Sequence, residues 1–119
     1  MTRSYYRTAL STVVGITLLA AIPVQATPGD TTADAVLGQT GFTTNQANQG
    51  GAVGTASTMN GNRGIAIDPS SGRLFVADTS NSRVLSFPTP ATFTNGQAAD
   101  LVIGQADFAA IDANRGGAN

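Results

Sequence analysis

Histidine, cysteine, lysine and glutamate are all absent from this 119-residue chain, and tryptophan with them. Each absence excludes a class of chemistry. Without His and Cys the chain loses the commonest ligands for zinc and other transition metals, the commonest general base and the thiol nucleophile. No disulfide can form, so packing and hydrogen bonds must hold whatever fold exists. Every base is Arg and every acid is Asp, six against seven. The expected site inventory is accordingly sparse: no catalytic residue, no metal ligands, no cofactor, and no ligand that the residues identify.

The N-terminus reads as an export signal covering residues 1–26. Arg3 and Arg7 supply a positive start, and residues 9–22 form an apolar run before Pro23. Val24-Gln25-Ala26 places small residues at −3 and −1 of a cleavage site before Thr27. The run has 14 residues, short of the ~20 a spanning helix needs, so a cleaved signal is expected over a retained anchor. The mature segment then keeps four Arg against seven Asp, a net charge of −3. With no basic run and no aromatics interleaved with bases, no nucleic-acid partner is expected. The expected location is extracytoplasmic: secreted, periplasmic or at the cell surface.

What the chain does contain is a repeat. A-D-x-V-x-G-Q-x-x-F at 33–42 returns at 99–108, and the likeness runs on through Ala47-Asn48 and Gly50-Gly51 to Ala113-Asn114 and Gly116-Gly117. The offset is 66 residues without a gap, and ten of nineteen aligned positions are identical. The second copy stops inside its connector, which predicts a truncated piece of a longer repeat protein. A reading frame broken at this point is the bland alternative.

Between the copies lie short apolar segments, 64–67, 73–77 and 83–87, parted by polar turns at 68–72 and 78–82. With 100–104 they predict a four-stranded antiparallel meander and an all-β fold. Leu74, Phe75, Val76 and Ala77 are apolar consecutively, so both faces of that strand need cover. One sheet cannot supply both; stacked equivalent sheets can.

The runs Arg63-Gly64-Ile65-Ala66-Ile67-Asp68, Gly72-Arg73-Leu74-Phe75-Val76-Ala77-Asp78-Thr79 and Asn81-Ser82-Arg83-Val84-Leu85-Ser86-Phe87 closely resemble an NHL repeat. Asn62 departs from the family's frequent Pro before Arg-Gly. The flanking A-D-x-V-x-G-Q-x-x-F segments look like the outer strand and connector of some secreted bacterial NHL-type proteins. The resemblance implies a β-propeller. It assigns 64–104 to one blade, 27–63 to the outer strand of a neighbouring blade (34–38) plus a Gly/Asn/Thr-rich connector, and 105–119 to a connector into a next blade. Propellers need about four to eight blades, so a lone blade would offer its edges to the remaining blades or to a second copy.

Asp68, Gly72, Asp78, Asn81 and Arg83 are the turn residues that define this motif. Asp78, Asn81 and Arg83 could form a hard-oxygen cation site. The structural reading is preferred: Asp78 caps its own turn, Asn81 takes a left-handed conformation, and Arg83 pairs with a carboxylate. Asp68 and Asp78 are likewise read as turn caps rather than an acid–base pair. The connectors at Asn48, Gly50 and Gly51, and at Asn114, Gly116 and Gly117, are read as flexible loops, since neither the helix nor the Lys of a phosphate loop accompanies them. The expected function is a binding or scaffold module with a protein or glycan partner. The alternative that the resemblance implies is part of a propeller hydrolase or lyase, lactonase-like or amidating-lyase-like, with its catalytic residues in other blades.

Overall fold

A computed structural model of the chain describes residues 29–116. The export signal read at 1–26 and its helix lie outside the described residues. Four strands form one antiparallel sheet in the order β1 (Asn62–Ile67), β2 (Leu74–Asp78), β3 (Arg83–Phe87) and β4 (Leu101–Ile103). The fold is all-β, a simple meander of the kind that makes a propeller blade. Short 3₁₀ turns at Ala47–Gly50, Thr79–Asn81, Pro90–Thr92 and Ala113–Gly116 interrupt the connections. Among the described residues no helix is long and apolar enough to cross a membrane.

The registers sort every strand residue onto one of two faces, because directly opposed residues share a face. Ile65 opposes Val76, Ile67 opposes Leu74, and these continue to Leu85, Phe87 and Val102. On that first face Leu74, Val76, Leu85 and Phe87 join Met59 and Ala99 in the core, with Leu37, Phe93 and Phe108 packed against it. Phe87 and Phe93 meet edge to face, ring centres 6.1 Å apart. The cover stops short of β1, where Ile65 is 76% exposed and Ile67 58%.

The second face carries Gly64, Ala66, Phe75, Ala77 and Val84, which with Ile65 line a shallow apolar hollow. Its rim is polar: Arg73 donates from Nε to Ser86 Oγ at 3.0 Å and forms an ion pair with Asp100. The consecutive apolar residues of β2 thus do face both ways. Within this chain one side is packed and the other is largely open.

Residues 34–38 have no ladder partner among the described residues and run as bends, not as a strand. Their polar groups go elsewhere. Val36 N donates to Asn95 Oδ1 at 3.0 Å, Gly96 N donates to Val36 O at 2.9 Å, and Leu37 packs on the core. The segment therefore lies against the loop that follows β3. Its twin at 101–103 forms β4 because β3 is there to pair with it.

Candidate functional site: a buried Asp–Asn–Arg node

Where β2 runs into β3, the chain must reverse within four residues. It does so through the 3₁₀ turn Thr79–Asn81 and a left-handed Ser82 at φ 52°, ψ 41°. The expectation put the left-handed residue at Asn81; it falls one position later. The reason is that Asn81 is fully buried and its amide is engaged: Nδ2 donates to Asp78 Oδ2 at 2.8 Å and to Asn48 Oδ1 at 2.8 Å, and Asn48 Nδ2 returns a bond to Asn81 Oδ1 at 3.1 Å.

Asp78 is also fully buried, and both its oxygens are occupied. Oδ1 accepts Asn60 N at 2.6 Å; Oδ2 accepts Asn81 Nδ2 and, at 2.7 Å, Arg83 Nε. It does not cap its own turn, as expected from sequence, but ties in the connector before β1. Arg83 finishes the node. Its guanidinium donates to Thr55 O at 3.0 Å, to Thr58 O at 2.8 Å and to Phe108 O. One side chain thus joins the connector before the blade to the segment after it. Gly54 makes room: a Cβ there would lie 2.7 Å from the guanidinium nitrogens.

A buried carboxylate with both oxygens engaged by three protein donors has little left to offer a cation. Among the described residues no group of three or more His, Cys, Asp or Glu could hold a metal ion. Asp68 is equally committed at the other end of β2. Its carboxylate accepts Ser70 N at 3.0 Å, Ser70 Oγ at 2.9 Å and Ser71 Oγ at 2.5 Å, while Gly72, at φ 70°, closes the hairpin with Gly72 N on Asp68 O at 2.7 Å. The Ser71 hydroxyl first, then the Ser70 amide and hydroxyl, hold its pKa down at about 2. Asp68 and Asp78 sit at opposite ends of the five-residue β2, on the order of 17 Å apart along the strand, too far to share a proton.

Sequence reasoning missed Asn48. It was read as part of a flexible loop, yet it is buried, left-handed at φ 48°, and takes part in a 3₁₀ turn whose Asn48 N donates to Met59 O at 3.0 Å. Its recurrence as Asn114, again left-handed at φ 51° and again in a 3₁₀ turn, was the available signal.

Strand order, hairpin turns and the Asp–Asn–Arg node coincide with the family comparison: residues 63–87 match the model of the NHL repeat. This segment is an NHL repeat. The match spans β1 from its second residue through the end of β3 and includes Asp68, Gly72, Asp78, Asn81 and Arg83. No curated protein and no solved structure matches the chain. In NHL-repeat terms, the node is what makes the turn between the second and third strands of the blade.

Proposed function

We propose that the protein is an exported propeller-type module that works by binding a protein or a glycan, not by turnover. The observation that carries this reading is the engagement of the buried carboxylate: both oxygens of Asp78 accept bonds from the blade itself, three in all. The aspartate at the opposite hairpin is held by serines and kept ionised to about pH 2. Asp68 therefore has no proton to trade near neutral pH. What the blade does offer is surface, an apolar face rimmed by an Arg–Asp pair and an exposed Ile65–Ile67 edge. Contiguous apolar surface of this kind marks interaction sites. Export rests on the Arg-led apolar run and the Val24-Gln25-Ala26 site.

The test has two arms. Cells expressing the chain are fractionated and its N-terminus read by mass; a species beginning at Thr27 outside the cytoplasm supports export, and an intact Met1 form in the cytoplasm removes it. The exported chain is then titrated against a glycan array and candidate surface proteins, and assayed with added divalent metal on lactones and on peptidylglycine substrates. Saturable binding without turnover is expected. Metal-dependent turnover would replace this reading with the hydrolase or lyase one.

A further inference from the structure

The two copies of the repeated segment share one internal geometry. Gly38 and Gly104 have φ 77° and 93°. Gln39 Nε2 donates to Gln46 O at 2.8 Å, and Gln105 Nε2 to Asp112 O at the same distance. Both glutamines bury an Oε1 without a hydrogen-bond partner. Each segment runs into a 3₁₀ turn carrying a left-handed asparagine.

They differ in what they grip. The second copy closes on the Ser82–Arg83 turn. Gln105 Nε2 donates to Ser82 O at 3.0 Å, Phe108 O accepts from Arg83, and Phe108 packs against the core. Gly104 lies so near that a Cβ would stand 3.4 Å from Ser82 O. In the first copy Gln39 has no counterpart of the Ser82 bond among the described residues, and Phe42, the twin of Phe108, is 56% exposed. This chain's own Ser82–Arg83 turn is already taken.

We infer that residues 38–42 form a docking clasp for the Asn-x-Arg turn of another NHL blade, one whose turn has no clasp of its own. The recognised chemistry is specific: the outward carbonyl of a left-handed residue for the Gln39 amide, a guanidinium for the Phe42 carbonyl, and an apolar seat for the Phe42 ring. Three contacts made by 104–108 supply the template, and the 66-residue translation carries each onto an identical residue. The inference rests on reading the chain as blade material, but not on the ligand that such a module takes.

The full chain with Gln105→Ala and Phe108→Ala provides a turn whose own clasp keeps only the backbone Phe108 O bond, beside a free clasp. Such a chain should associate head to tail, because the surfaces differ and need not close on themselves. Light scattering after size exclusion should show its association strengthened roughly tenfold or more over the unaltered chain. Adding Gln39→Ala and Phe42→Ala should return it to the level of the unaltered chain. Phe108→Ala alone, which keeps the Gln105 bond, repeats the measurement where the double variant does not fold. No gain in association by either variant, or a gain that survives Gln39→Ala and Phe42→Ala, overturns the clasp. Ligand binding with no clasp-dependent association leaves the module reading standing; clasp-dependent association without any ligand does the reverse.

Discussion

Arg83 touches four acceptors that come from three stretches of chain: Thr55 O and Thr58 O, Asp78 Oδ2, and Phe108 O. A buried guanidinium tolerates this only while its carboxylate stays. Asp78→Ala strands the charge, leaves Asn60 N without its carboxylate acceptor and takes one of the two acceptors of Asn81 Nδ2. The expected cost is about 3–5 kcal/mol, read from urea titration of the folded chain. Asp68 behaves differently because it is only part-buried. Its carboxyl titrates near 3.8 when unfolded and near 2 when folded, so its contribution is complete above about pH 4 and is lost as pH falls toward 2. Asp68→Asn should flatten the melting temperature across that window, lowering it above about pH 4 and converging with the unaltered chain near pH 2, which a melting series from pH 2 to 6 checks.

At the scale of elements, the turns and packing decide. Gly72 holds φ 70° with the nearest atom 3.4 Å from a Cβ, so Gly72→Ala meets backbone strain alone, about 1–2 kcal/mol. Gly54→Ala drives its methyl into the Arg83 guanidinium and should cost more, a ranking that paired denaturation curves test. Phe87→Ala, from a fully buried ring, should cost about 3–5 kcal/mol. The strands were legible because apolar runs and Pro/Gly turns alternate plainly through 64–87, and β4 because its motif recurs. The node was legible only by residue type. Asp78 and Arg83 could be paired on paper, but nothing in a linear pattern names Asn60 N, Thr55 O or Phe108 O as partners, since those are backbone groups brought in from 18 to 28 residues away. The reading of 34–38 as the outer strand of a neighbouring blade turns on a partner outside the described residues. An apolar run predicts a strand, but a strand also needs a neighbour to pair with, and neighbours are not written into the segment itself.

For the molecule as a whole, the balance of covered and open surface matters most. The first face is packed over β2, β3 and β4, while the second face and the β1 edge are open. Exchanging Ile65 and Ile67 for Thr keeps the β-branch that suits a strand and removes apolar surface. The pair should lower concentration-dependent self-association in sedimentation velocity while the far-ultraviolet β signal stays the same. Association that ignores these positions would place the sticky surface elsewhere.

The reach of Arg83 has a consequence in time. As the chain leaves the ribosome, Thr55, Thr58 and Asp78 already precede Arg83, so three of its four acceptors await it. Phe108 arrives 25 residues later and locks a turn that is by then formed. Each blade would thus set its own half of the joint first and leave the last bond to the segment that follows, a one-way order of assembly that runs with synthesis.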